Sequence, residues 1–215
     1  MRQSVTVGLT GVQARGEIGN IGTVGEARDA ANGLYGIQVQ TPKGARSDVT
    51  LSKDSISISI QGPTETGRKG EYRVLDILQQ IFHGGGLRAI FEQGKDDYGE
   101  DQILRLDDEV FTLQIVTVPR NHNLWHAANT GLATTSGTAV DGASWIRDAI
   151  LAKVNKTPLA ERGKTILVLD AGLAGVLSAP EVLETYFERH SDPRHEFGLA
   201  AVLLVGPTTN TTKSL

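Results

Sequence analysis

Asp101 and Gln114 are the two residues whose side chains folding can join into a small polar site. They bracket "DQILRLDDEVFTLQ", two stretches of alternating character around an acidic turn. If the chain turns tightly at Asp107 and Asp108, then Leu106 faces Glu109, Arg105 faces Val110, Ile103 faces Thr112 and Asp101 faces Gln114. Directly opposed residues on antiparallel strands share a face, with Cβ atoms about 4.5–5.5 Å apart. Thr112, Gln114, Val116 and Val118 then lie on one face, and Phe111, Leu113 and Ile115 on the other. The apolar second face is expected to pack on a helix. The polar pair is left at the open end of an otherwise buried sheet.

The flanking segments must hold that hairpin. Val74, Leu75, Leu78, Ile81 and Phe82 recur at helical spacing in "GRKGEYRVLDILQQIFHGGG", and the run stops at three glycines. "LRAIFEQ" reads as a strand before the hairpin. "ASWIRDAILAKV" returns to helical spacing, "KTILVLDA" and "LAAVLLVGPT" are continuous apolar strands buried on both faces, and "SAPEVLETYFERH" between them is a helix. Ser178 and Glu181 have capping-box spacing there. Strand, helix, strand with buried strands implies a parallel crossover. Residues 120–143 are small and polar, and read as a long functional or mobile loop. Ahead of all this, residues 1–66 form a β-rich, Gly-rich extension packed on a 67–215 core. In "SISISI" the isoleucines share one face, the mark of a half-buried strand. "GEARDAANGLYG" predicts one short helix ended by Gly33.

The order helix, three-stranded meander, helix, strand, helix, strand resembles the restriction-endonuclease-like fold, the PD-(D/E)xK nuclease superfamily. The resemblance covers roughly residues 70–206. It implies an α/β core in which an Asp opening the second core strand and a Glu, Asp or Gln on the third bind a divalent metal. Asp101 and Gln114 match those two positions, and Glu71, opening the first helix, matches an auxiliary acid. Mg²⁺ is the cofactor this implies, since hard cations take carboxylate and amide oxygens. The lysine of the motif falls on Val116, which can neither orient a water nor stabilise a phosphate. Lys95 and Lys153 are the candidate substitutes. Arg68, Lys69 and Arg73, clustered at the start of the first helix, are the best local candidates for phosphate contact.

Other motifs carry less. "HGGG" at 83–86 resembles an esterase oxyanion loop, but the chain has no G-x-S-x-G elbow. His122 and His126 are four apart without an H-E-x-x-H, and read as loop histidines flanking a docked Trp125. His190 suits a helix C-terminus. Asp170 ends a central strand and reads as a turn or cap residue. The chain has no cysteine, which excludes disulfides, thiolate metal sites and cysteine nucleophiles. No apolar run is long enough to span a bilayer and no signal peptide is evident, so a cytoplasmic protein without membrane contact is expected. A net charge of −4 requires any nucleic acid to meet a local basic patch.

Three functions follow as expectations. The first is a nuclease-fold protein with a degenerate metal site that binds nucleic acid or a protein partner. The second is an active Mg²⁺-dependent deoxyribonuclease. The third is an assembly protein, homo-oligomeric or with other chains, without nucleic-acid binding.

Overall fold

The computed structural model describes residues 14–18, 22–29, 33–41, 44–62, 68–94 and 101–215, with the side chains of 14–23 and 68–70 outside that description. In chain order the first five strands are β1 (Ala14–Ile18), β2 (Gly22–Asp29), β3 (Leu34–Gln40), β4 (Arg46–Leu51) and β5 (Ile56–Gln61). Then come α1 (Arg68–Gly84), β6 (Ala89–Gln93), β7 (Gln102–Leu106), β8 (Glu109–Thr117), α2 (His122–Thr130) and β9 (Leu132–Gly137). The chain continues through α3 (Ala139–Val154), α4 (Leu159–Arg162), β10 (Thr165–Asp170), a 3-10 turn at Gly175–Ser178, α5 (Pro180–Arg189), α6 (Pro193–Phe197), β11 (Ala201–Val205) and β12 (Lys213–Ser214). The described chain is thus a mixed α/β protein with two six-stranded sheets and six helices.

The first sheet is antiparallel, in the order β1-β2-β3-β4-β5-β9. Its core face follows from period-two patterning: Ile56, Ile58 and Ile60 are buried, and on the outer face Ser59 Oγ lies 3.1 Å from Thr134 Oγ1 of β9. The short helix expected at "GEARDAANGLYG" is not formed. β2 runs through Asp29, and Asp29 pairs with Leu34 across a hairpin whose residues 30–32 lie outside the described set. Gly33, with φ +61°, supplies the left-handed turn, so the same glycine that can stop a helix closes a hairpin. Pairing of Val24 with Val39 and Glu26 with Ile37 outweighs a weak local helix preference.

The second sheet has the order β12-β11-β10-β8-β7-β6. β6, β7 and β8 form an antiparallel meander, while β8, β10 and β11 are parallel. Every residue of β10 is buried, as its unbroken apolar run predicts. Helices cover both faces. Arg73 of α1 pairs with Asp170 on one side, and Thr157, just past α3, bonds Gln114 on the other. Strand alternation agrees: Gln114 is level with Leu167, three positions from Asp170 along β10 and therefore on the opposite face.

Two sequence expectations change here. Residues 120–143 are not a long loop but hold α2, β9 and the start of α3. Asn121 Oδ1 accepts the Leu124 N–H at 3.0 Å to cap α2, and Trp125, buried, donates its indole N–H to the Pro119 carbonyl at 2.8 Å. Thr138 and Asp141 form a capping box at the start of α3, and the Thr138 N–H holds the Asp141 carboxyl below the usual carboxylate range. The polar composition is that of a capped surface helix and of an edge strand with a solvated face. At α5 the cap residue is Ala179 with Pro180 in the first turn; Ser178 instead donates its hydroxyl to the Gly175 carbonyl within the 3-10 turn.

β9 also ties the N-terminal sheet to the remainder, since it leaves the α2–α3 connection to pair with β5. The sheet packs closely on α3: a Cβ on Gly142 would lie 2.9 Å from Ile56 Cδ1 and 3.2 Å from Val182 Cγ1, so the absent side chain lets helix and sheet approach. One apolar cluster runs through both sheets. Among the described residues no helix is long and apolar enough to cross a membrane.

Near α6 several groups resist protonation. Arg147 of α3 makes a bidentate pair with Glu196, one arm at 2.7 Å, and its guanidinium also sits 4.8 Å over the Phe197 ring. The Arg147 hydrogen bonds hold the Glu196 carboxyl below its usual range. Asp192 is held down to about 2, chiefly by the Arg194 guanidinium. His190 is lowered from 6.5 by burial and then by the Arg147 charge. Each depressed value means the unfolded chain takes up protons first, so the associated stability is present at neutral pH and lost on acidification. The urea midpoint is therefore expected to decline below pH 6.5 as His190 titrates in the unfolded chain. A second decline is expected from about pH 4 toward pH 2, where the carboxylates protonate. Glu196→Gln should flatten the second stage; an unchanged acid profile would remove Glu196 as its cause.

Candidate functional site

The hairpin has the register read from its sequence from Leu106↔Glu109 as far as Gln102↔Leu113. The last step differs. The Asp101 N–H takes the Leu113 carbonyl at 2.9 Å, so Asp101 and Gln102 both oppose Leu113, and Asp101 does not pair with Gln114. β7 begins at Gln102, which leaves the next amide of β8 facing that side without a strand partner. The Asp101 carboxylate fills the gap: its Oδ2 accepts the Ile115 N–H at 2.5 Å. A side chain thus continues the ladder where the backbone leaves it.

α3 closes over this point. Lys153 places its Nζ 3.3 Å from the same Oδ2, and the two side chains are 22% and 23% exposed. One turn further on, Thr157 donates its hydroxyl to Gln114 Oε1 at 3.0 Å, with Gln114 buried. Lys153 and Thr157 are four apart and so project from one side of the helix path. The result is a cluster of one carboxylate, one amide, one ammonium and one hydroxyl. Lys153 was a named substitute for the missing lysine. Thr157 was not, although its spacing from Lys153 was the available signal. Lys95 lies outside the described residues.

Glu71 is not brought to this cluster. It sits half-buried in the first turn of α1, the helix on the other face of the sheet, and has its own interactions. Arg73 is likewise not on a solvated face. Its guanidinium NH2 donates to both oxygens of Asp170, at 2.6 and 2.7 Å, in a buried pair. Asp170 Oδ1 also accepts the Gly172 N–H at 2.9 Å. Asp170 is a turn residue as expected, but one carrying a buried charge that fixes α1. The phosphate-contact role read for Arg73 is corrected on this ground. Arg68 and Lys69 stand in the first turn of α1, and their side chains lie outside the description.

His122 and His126 are not loop histidines as read from sequence: both lie on α2, with rings stacked at 6.3 Å and 9°. No third ligand joins them, since no group of three or more His, Asp or Glu side chains suited to a metal occurs among the described residues. The Asp101 cluster fits a resident Mg²⁺ poorly as well. Its single carboxylate already accepts an amide and faces an ammonium, and Gln114 Oε1 accepts the Thr157 hydroxyl. Mg²⁺ holds its place through one or two carboxylates and strongly hydrated octahedral geometry, and a neighbouring cation opposes it.

A cleft of about 620 Å³ opens beyond the end of β8, between the α2 entry and the outer side of α3. Arg120, His122, Trp145 and Asp148 line it. Trp145 stands in the helix-periodic run "ASWIRDAILAKV"; only the fold shows that it is partly buried against the core with its open surface lining the cleft.

Comparison with known proteins gives no match to a family model, to a curated protein or to a solved structure.

Proposed function

We propose that this chain is a nuclease-fold protein that has kept the Asp–Gln–Lys constellation as an internal bonding network and acts by binding nucleic acid rather than cutting it. The element order supports the kinship: α1, the β6–β7–β8 meander, α3, β10, α5 and β11 follow the order that suggested the superfamily. This is an argument by analogy at the level of fold. The observation that carries the silent reading is the Lys153 ammonium on Asp101 Oδ2. A cation from the chain itself neutralises the acid on which a metal would depend, and Glu71 is on the wrong face to add a second carboxylate. Arg68 and Lys69 at the start of α1, with Arg120, Lys153 and Lys156 near α3, are the cations that would meet phosphates.

The same contact also favours a second reading, an active nuclease, because it delivers a lysine amine to the acid despite Val116. Incubation with supercoiled plasmid and Mg²⁺ or Mn²⁺ separates them. Intact plasmid at large protein excess is the expected result. Nicking that disappears in Asp101→Ala would make the chain an enzyme. Duplex affinity should fall with added salt, in proportion to the phosphates contacted; binding indifferent to salt would remove the phosphate-binding component.

A further inference from the structure

The geometry points to the cleft beside α3 as a site for a single nucleotide, taken either free or as one unit of an unpaired strand. The version with a strand rests on the nucleic-acid reading above; the version with a free nucleotide does not. At about 620 Å³ the cleft is within the range of small-molecule sites, roughly 300–1,000 Å³. Its lining has the parts a nucleotide needs. Trp145 is partly buried against the core, and the indole surface it leaves open lines the cleft, where any base can stack. Arg120 is exposed and forms no ion pair among the described residues, so its guanidinium is available for a phosphate.

Asp148 is an exposed carboxylate on the same wall, one helical turn after Trp145, and Leu151 continues that wall with an apolar surface. A carboxylate rejects a second anion and accepts hydrogen bonds from an exocyclic amine, the contact by which Asp recognises cytosine N4. His122 adds a ring held by its stack on His126, and Asn123 an amide. A cation, a carboxylate and an indole around one cavity suit a ligand that joins an anion to a flat ring bearing hydrogen-bond donors. A fatty or purely anionic ligand would leave Asp148 or Arg120 opposed.

The cleft is also placed for a strand that passes the Asp101–Lys153 cluster. β8, which carries Gln114, ends at Thr117 just before the cleft residues Pro119 and Arg120, and Ala152, which lines the cleft, adjoins Lys153.

The test uses the whole chain with three probes: cytidine 5′-monophosphate, a short single strand of deoxycytidine, and a blunt duplex. Readouts are tryptophan fluorescence and, for the polymers, anisotropy. Trp125 is buried, so quenching on stacking should arise from Trp145 and vanish in Trp145→Leu. Arg120→Ala, an exposed change with little effect on folding, should weaken binding about tenfold, the loss of one charge-assisted contact. Asp148→Ala should abolish a preference for cytidine over uridine monophosphate. Quenching by the mononucleotide alone assigns a free ligand and overturns the nucleic-acid reading while keeping the site. Quenching by the strand alone, or by both, supports the site with its strand. Polymer binding that leaves fluorescence unchanged and is indifferent to Arg120→Ala removes the cleft and leaves nucleic-acid binding standing. Absence of any quenching by mononucleotide and strand overturns the proposal.

Discussion

Replacing Arg73 by methionine is expected to lower folding stability by about 3–5 kcal/mol, the usual cost of stranding one charge of a buried pair. Its partner Asp170 is 5% exposed and would keep only the Gly172 N–H as a donor among its present contacts. The pair is also sterically enclosed: a Cβ on Gly172 would come within 2.5 Å of the Arg73 guanidinium carbon, so a side chain there would push the arginine out of its place on Asp170. Asp170→Asn should cost a similar amount by leaving the guanidinium without its counter-charge. Arg73 Nε, already buried without a partner, makes that guanidinium harder to satisfy. The double variant Arg73→Met, Asp170→Leu should recover part of the loss, because an apolar pair of similar size carries no buried charge. Urea denaturation of the four proteins gives the coupling energy. Additive single effects would mean that the pair is not the lock between α1 and the sheet.

Ile58→Ala is the second large effect, about 2–5 kcal/mol for truncating a fully buried isoleucine. Ile58 is in the N-terminal sheet, at 0% exposure. Its strand β5 is paired with β9, which is built from residues between α2 and α3. The loss should therefore appear as a shift of one transition for the whole chain, identical by far-UV circular dichroism and by tryptophan fluorescence. Both tryptophans lie in the 67–215 segment, so a fluorescence midpoint that does not move would show the first sheet to unfold by itself. β9, from the 67–215 segment, pairs with β5 of the N-terminal sheet, and one apolar cluster joins the two segments.

These predictions bear on function because the candidate site is assembled from separate parts of the chain. The residue just before β7 is Asp101, β8 supplies Gln114, α3 supplies Lys153, and the α2 entry with α3 supplies the cleft. α3 itself is held by the first sheet through Ile56 and Gly142 and by α6 through Arg147 and Glu196. Substitutions that loosen α3 should disturb the lysine and the cleft together.

Much of the architecture was legible in local pattern. The isoleucines of β5, the helical spacing of α1 and α3, the unbroken apolar runs of β10 and β11 and the turn at Asp107–Asp108 each express a period or a turn preference carried by neighbouring residues. The hairpin register followed from the turn alone, because pairing two strands leaves one degree of freedom. What failed was decided at longer range. "GEARDAANGLYG" became a hairpin because cross-strand partners outweigh propensity. Residues 120–143 became α2 and β9 because their side chains found caps and a sheet edge. Asp101 slipped one position from Gln114 because the ladder ended there and its carboxylate took an amide. Lys153 is 52 residues from Asp101 in the chain, and Arg73 is 97 from Asp170. No periodicity encodes such distances. Sequence alone determined the strongly periodic and the unbroken apolar elements, such as β5, α1, α3, β10 and β11, and which of their faces are apolar. The packing of α1 and α3 on opposite faces of one sheet determined which charges meet, because an ion pair forms only where burial has already brought its elements together.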